Sequence, residues 1–179
     1  QPMADRGRCV EFCRYSFASN EQRFRCTIDQ RRLFAPSGGH PLRLCLDAEI
    51  VGPWVASRTG GTWSPGRGTA IGKLDDQGNL IAGVLYEDWN GANIVCHIAG
   101  EGNWASRRFL NVIFDYPFNQ LEVRRITVPV GSTNIKSIHL VTRMGFALES
   151  TLAQAIPDGD LHLFRMFRSE CQYLRGKYG

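Results

Sequence analysis

The sequence predicts a mixed α/β domain whose sheet has six to seven mostly antiparallel strands and carries helices on both faces. Three observations support this fold class. Three β-rich runs follow one another between about residues 69 and 99, and tight turns at residues 75–78 and 90–91 separate them, as in an antiparallel meander. A run with helical periodicity, at about residues 106–116, then lies between two strands, and this order requires a crossover and parallel pairing. The third observation is a strand–turn–helix unit at residues 125–146.

The predicted elements begin with a short strand and a helix. Alternating leucines from Leu42 to Leu46 have the period of two that is typical of a strand. Asp47 is a good N-cap, and residues 48–57 have the pattern of a helix in which Pro53 limits the first part. A glycine-rich loop then connects this helix to the meander.

The helix that follows the meander is amphipathic. Phe109, Leu110, Ile113 and Phe114 give it one apolar face, and Pro117 is expected to bend or end it. This helix connects the third strand of the meander to the strand of the 125–146 unit. We therefore expect these two strands to be parallel.

The strand–turn–helix unit contains the clearest local signals in the sequence. Residues 126–130 predict a strand, and the helix that follows ends before Gly145, the type of residue that adopts the left-handed conformation beyond a helix. Ser132, Thr133 and Asn134 are all suitable N-caps. A strand that leads into a capped helix start directs backbone N–H groups at one spot, which suits a phosphate or a polar cofactor.

Two further strands complete the predicted domain. They span residues 147–154 and 161–167, and a turn at residues 157–160 separates them. We therefore expect one domain over residues 42–170, followed by a C-terminal tail at residues 171–179. A chain of 179 residues is long enough for one well-buried domain of this kind.

The N-terminal residues 1–41 differ from this domain. Their first 40 residues contain seven arginines, no lysine and no sustained apolar period, and they end in the breaker cluster at residues 36–41. One interpretation is a basic arm that contacts nucleic acid. The favoured interpretation is a poorly ordered extension. The net charge of the whole chain is a modest +4, which permits binding to nucleic acid but does not require it.

Composition also bears on metals, membranes and location. The chain has six cysteines without a Cys-x-x-Cys pair, so we expect reduced, unlinked thiols and no metal site. Cys9, Cys13, Cys26 and His40 are a conceivable but disfavoured ligand set. No apolar run approaches the roughly 20 residues that span a bilayer, and no signal sequence is recognisable. We expect a cytoplasmic protein that does not enter membranes.

A resemblance to a known family rests on the segment from Asn134 to Phe146. Its Asn-x-x-Ser spacing and its Gly-Phe ending, the acidic Glu149, and the Asp158 and Glu170 of the last hairpin resemble the GNAT superfamily of acyl-coenzyme-A-dependent N-acetyltransferases. The branch that includes ribosomal-protein alanine acetyltransferases is the most similar, and phage- or prophage-encoded GNAT-like proteins are similar too. The resemblance covers about residues 42–170 and implies a GNAT-type sheet in which the fourth and fifth strands splay apart.

The resemblance implies acetyl-coenzyme A as co-substrate, bound in the wedge between those two strands. Backbone amides of the 100–106 loop would then hold the pyrophosphate. The residues that it implies as coenzyme contacts are Ile98, Gly100, Gly102, Asn103, Trp104, Ala105, Ser106, Asn134 and Ser137. The loop departs from the family pattern, because Glu101, Trp104 and Ser106 occupy the positions of an Arg or Gln and two small residues.

The catalytic candidates are His97 and Glu87. A group that accepts a proton from an amine near neutral pH is needed for nitrogen transfer, and the ordinary pKa range of histidine suits this role. Glu87, with Asp88 beside it, is the alternative and would act through a water molecule. The tyrosine that many family members use to protonate the departing thiolate is replaced by Val141. For Asn134, a contact with the pantetheine arm and a simple helix cap are equally good interpretations.

The sequence therefore predicts an N-acetyltransferase that moves an acetyl group from acetyl-coenzyme A to a primary amine of a protein N-terminus or a small molecule. A GNAT-like modifier of nucleic-acid bases is one alternative, in which Trp63, Trp89 and Trp104 would stack on bases, although ordinary core packing is favoured for these residues. A non-catalytic protein of the same fold with a degenerate coenzyme loop is the other. We expect a monomer or a homodimer.

Overall fold

A seven-stranded sheet organises the protein in a computed structural model that describes residues 42–174. The strand order is β1-β2-β3-β4-β5-β7-β6. The strands are β1 (Leu44–Cys45), β2 (Gly68–Leu74), β3 (Leu80–Glu87), β4 (Asn93–Gly100), β5 (Arg125–Gly131), β6 (Ala147–Ile156) and β7 (Gly159–Phe167). The helices are α1 (Ala48–Thr59), α2 (Arg107–Asp115) and α3 (Ile135–Arg143).

The pairing of the strands confirms the predicted fold class. Every neighbouring pair is antiparallel except β4 and β5, which are parallel. The connection between these two strands contains α2, as a parallel crossover requires. The predictions for the basic arm, for the four-residue metal-ligand set and for the end of the tail fall on residues outside the described part of the chain.

The boundaries of the helices differ from prediction at two prolines. Pro53 lies inside α1 on its exposed side, and the helix continues to Thr59, beyond which Gly60 takes a left-handed conformation with φ of 74°. Asp47 caps α1 as predicted, because its carboxylate accepts a hydrogen bond of 2.9 Å from the backbone N–H of Glu49. Pro117 does not end the second helical segment, which continues from α2 into a π-helical turn at Tyr116–Gln120.

The two faces of the sheet bury different amounts of apolar surface. The larger core lies on the face of α2 and α3 and contains Tyr86, Phe109, Phe114 and Met166. The smaller core lies under α1, which packs across β2, β3 and β4. Its members are Val51, Val55, Ala70, Leu85 and Ala99. No helix among residues 42–174 has the length and apolar character that a membrane crossing needs.

Candidate functional site

A cleft opens where β4 and β5 diverge. The parallel ladder between these strands has only the pairs Asn93–Arg125, Ile94–Ile126 and Val95–Thr127. Pro129 lies on β5 beyond the last pair and has no backbone N–H with which to extend the ladder. The cleft is lined by Thr59 of α1, His97 and Ile98 of β4, Val128, Pro129, Val130 and Gly131 of β5, and Asn134, Ser137, Leu140 and Val141 around and within α3.

The diverging strands leave backbone groups available to a ligand. Within residues 42–174, no ladder joins β4 to β5 beyond Val95 and Thr127. Buried backbone N–H and C=O groups require partners, and an extended ligand with amide groups can supply them. The splay that the resemblance implied between the fourth and fifth strands is therefore present.

His97 is the one ionisable side chain among the described residues that line this cleft. It lies on β4 directly opposite Leu85 of β3, and its side chain is 26% exposed. Burial lowers the pKa of His97 below its ordinary value, and the carboxylates of Glu87 and Asp88 act in the opposite direction with smaller effect. The neutral imidazole, which can accept a proton, is thus favoured at neutral pH.

Glu87 is adjacent to His97, so the structure brings the two catalytic candidates together. Glu87 pairs with Val95 on β4, two residues before His97, so both side chains lie on the α1 face of the sheet. The Oε2 atom of Glu87 is 3.4 Å from Nε2 of His97, and the glutamate side chain is only 14% exposed. Asp88, the next residue, has a positive φ of 50° and lies 3.9 Å from the guanidinium of Arg67.

Asn134 and Ser137 lie at the mouth of the cleft, where α3 begins. The Oδ1 atom of Asn134 accepts a hydrogen bond of 3.1 Å from the backbone N–H of Ser137, which confirms Asn134 as the N-cap of α3. Both residues line the cleft, so a contact with a ligand is compatible with this cap and stays a prediction. Val141 also lines the cleft, and its side chain has no proton to donate.

The 100–106 loop lies beside the cleft and does not line it. Of the predicted coenzyme contacts, the cleft lining contains Ile98, Asn134 and Ser137. The loop residues Gly100, Gly102, Asn103, Trp104, Ala105 and Ser106 are not among the residues that line it. The loop ends at Ser106, the N-cap of α2, whose hydroxyl accepts a hydrogen bond of 3.4 Å from the backbone N–H of Phe109.

The side chain of Trp104 belongs to the core, so a coenzyme contact at this position stays a prediction for its backbone amide. It is only 6% exposed and packs edge-on against Phe109, with ring centroids 6.1 Å apart. A Cβ atom on Gly100 would overlap the indole ring, so the close approach of Trp104 requires glycine at this position. The carbonyl of Trp104 accepts a hydrogen bond of 2.8 Å from Nζ of Lys73, a residue of β2 that the sequence did not single out.

Glu101 is paired with a cation that the sequence analysis did not identify. The guanidinium of Arg58, at the end of α1, contacts Oε1 of Glu101 at 2.6 Å. The same guanidinium lies 3.8 Å above the ring of Trp54. Forty-three residues separate Arg58 from Glu101, so no local pattern could have predicted the pair. The positive charge of Arg58, at the end of α1, therefore offsets the negative charge of Glu101 in the loop.

Trp63 and Trp89 pack against the cores, and the described residues contain no group of side chains that could hold a metal ion. Trp63 and Trp89 are half-buried against the two cores, which confirms the packing interpretation for both. No three His, Cys, Asp or Glu side chains of residues 42–174 are grouped as a metal site would require.

Comparisons with known proteins support the fold. No family model and no curated protein matches the sequence. The spermidine/spermine N-acetyltransferase SpeG from Vibrio cholerae, solved in complex with manganese ions, superimposes with a TM-score of 0.59 at 18% identity, over 72% of this chain and 93% of that chain. The spermidine N-acetyltransferase from the same organism, solved with CoA and spermine, gives a TM-score of 0.52 at 21% identity, over 68% of this chain and 73% of that one. The chain thus has the fold of solved N-acetyltransferases, as the resemblance implied.

Proposed function

We propose that this protein transfers an acetyl group from acetyl-coenzyme A to a primary amine in the cleft between β4 and β5. The observation that carries the proposal is the position of His97, the one ionisable side chain that lines the cleft among residues 42–174. The acetyltransferase fold and the residues resembling the GNAT superfamily support it. The narrower assignments to an alanine acetyltransferase branch and to a phage remain predictions.

The residues of the cleft fit the arm of the coenzyme. Its pantetheine portion contains two amide groups and an apolar segment, and the diverging strand edges together with Ile98 and Val130 offer matching partners. Asn134 and Ser137 would hold this arm from the start of α3. Backbone amides of the 100–106 loop, with Arg107 and Arg108 at the start of α2, would meet the phosphates.

His97 would carry the proton of the reaction. The coenzyme supplies an activated acyl thioester. A bond forms between the amine nitrogen and the acyl carbon, and the bond between that carbon and sulfur breaks. His97 takes the proton that the nitrogen loses and, because Val141 has no proton to give, passes it to the leaving sulfur. The products are then an amide and a free thiol, and His97 is neutral again.

The acceptor is proposed to carry a cationic group in addition to the neutral nitrogen that reacts. The carboxylate of Glu87 lies beside His97 and favours such additional positive charge near the cleft. A protein N-terminus next to a basic side chain or a small molecule with a second amine can satisfy this requirement, and the solved acetyltransferase with CoA and spermine makes polyamines the first small molecules to test.

Calorimetric titration of the full chain with acetyl-coenzyme A tests the proposal. We expect saturable binding with a Kd in the micromolar range, and thiol release when spermidine or an alanine-initiated peptide is added. Free coenzyme A is the control for the acyl group, and a primary amine without a second basic group is the control for acceptor charge. The absence of binding at millimolar acetyl-coenzyme A would contradict the proposed activity.

A non-catalytic protein of the same fold is the second candidate. It is favoured by the 100–106 loop, where the Trp104 side chain is buried and Glu101 carries a negative charge. The titration decides between the two candidates, because a degenerate loop predicts no coenzyme binding. Modification of nucleic-acid bases remains a prediction that depends on the N-terminal residues.

A further inference from the structure

Glu87 and His97 are not simply alternative proton acceptors, because their side chains line different cavities. Glu87 lines a second cavity together with Tyr86, Asp88 and Trp89, and it is not among the residues that line the β4–β5 cleft. A carboxylate placed outside the cleft is badly located to take a proton from an amine inside it. Its Oε2 atom instead faces Nε2 of His97 at 3.4 Å.

This contact involves one particular ring nitrogen. In a neutral imidazole one nitrogen carries the proton and the other accepts, and a partner on one nitrogen selects the tautomer. A carboxylate can only accept a hydrogen bond, so it favours the tautomer in which the facing nitrogen carries the proton. The distance exceeds the usual 2.9–3.0 Å, as is common for catalytic contacts before substrate binds.

Building on the proposed acyl transfer, the geometry points to Glu87 as the positioning residue of His97: it holds the proton on Nε2 and leaves Nδ1 as the proton-accepting atom. Glu87 therefore acts through His97 and does not contact the substrate. Glu87 contacts His97 from β3, and the cleft lies between β4 and β5, on the opposite side of β4.

Among the charged groups near His97, Glu87 has the largest effect on the pKa of its ring. Asp88 is the other carboxylate that acts on His97, and it lies beside Arg67, which offsets its charge. The lining contributed by α1, β5 and α3 contains no ionisable side chain. Removal of the Glu87 charge should thus change the protonation of His97 more than removal of the Asp88 charge.

Ring-nitrogen NMR on the full chain, without any ligand, tests this assignment. We expect the wild type at neutral pH to carry the proton of His97 on Nε2. In Glu87→Gln the tautomers should mix and the pKa of His97 should fall, since a neighbouring carboxylate raises it. Asp88→Asn is the matched control, because asparagine tolerates the positive φ at this position, and it should change the tautomer little.

The kinetic readout separates this inference from the proposed function. With acetyl-coenzyme A, Glu87→Gln should lower kcat on the order of tenfold, as loss of an orienting partner does, with KM for the coenzyme nearly unchanged. Because the pKa of His97 should be lower in Glu87→Gln, the activity of this variant should decline at a lower pH on the acid side of its pH profile. A wild-type proton on Nδ1, or an unchanged tautomer in Glu87→Gln, would overturn the inference even if acetyl transfer occurs. Failure to bind acetyl-coenzyme A would overturn the proposed function and leave the tautomer result standing.

Discussion

The two ends of the β4–β5 cleft are built in different ways. At the closed end, where the ladder of β4 and β5 stops, His97 and Glu87 lie on neighbouring strands and are held by their register. Beside the open end, the 100–106 loop carries the ion pair of Glu101 with Arg58, whose side chains are 57% and 36% exposed. The charged pair at the closed end is largely buried, and the ion pair beside the open end is exposed to solvent.

This difference predicts where charge matters. Interactions between charges strengthen as the effective dielectric falls on burial, whereas exposed pairs are screened and contribute about 0–1 kcal/mol. Changes at the closed end should therefore alter the chemical step, and changes at the open end should alter coenzyme affinity slightly. Substitutions at both ends test this difference.

His97→Gln should have the largest effect on activity. General acid–base catalysis contributes roughly 10²–10⁴-fold, so kcat should fall by at least about 100-fold, while the Kd of acetyl-coenzyme A stays within about twofold. Stopped-flow thiol release and calorimetry measure these two quantities. An unchanged kcat would exclude His97 as the proton acceptor.

The pH dependence of stability gives an independent check on His97. Because burial lowers the pKa of His97 in the folded chain, the unfolded chain binds its proton more readily. This group therefore destabilises the fold as the pH falls below the ordinary value of about 6.5. The loss of stability between pH 7 and pH 5, measured by urea unfolding, should be smaller in His97→Gln than in the wild type. An equal loss would show that His97 is not protonated differently in the two states.

Trp104→Ala should have the largest effect on stability. Truncation of a buried aromatic residue typically costs about 3–5 kcal/mol, which corresponds to a fall in Tm of roughly 10 °C. Trp104→Phe keeps an aromatic ring against Phe109 and should lose less. If Trp104→Ala weakened coenzyme binding without lowering Tm, the indole would be a ligand contact after all.

The contrast between the two ends also explains what could be predicted from sequence. The order of strands and helices along the chain depends on local patterns and was predicted correctly, and Asn134 was one of three predicted caps for α3. The order of strands across the sheet, with β7 between β5 and β6, depends on long-range pairing and was not predicted. His97 and Glu87 were placed on successive strands, but their contact depends on the register of β3 and β4. The loop was the least predictable region, because the partners of its side chains, such as Arg58, come from elsewhere in the fold. The packing of Trp104 against Gly100 is a further contact of this loop that no local pattern indicates.

Substitutions at Asn134 separate its two roles at the cleft mouth. Asn134→Ala removes the cap of α3 and should cost about 1 kcal/mol of unfolding free energy. Asn134→Asp keeps a capping oxygen but loses the amide donor and adds a negative charge, so it should retain stability. Calorimetry then shows the second role: weaker coenzyme binding in Asn134→Asp supports a contact with the pantetheine arm, and unchanged binding restricts Asn134 to capping.

The smallest effect is expected at Glu101. Glu101→Gln removes a negative charge beside the proposed phosphate positions and releases Arg58 from its partner, so acetyl-coenzyme A should bind about two- to fivefold more tightly at low salt, the size of an exposed charge interaction. Arg58→Gln is the matched control and should weaken binding by a similar factor. Both effects should shrink as salt rises above roughly 0.15 M, where screening acts within about 8 Å. If Glu101→Gln lowered kcat as strongly as His97→Gln, the open end would take part in the chemical step, and the division between the two ends would fail.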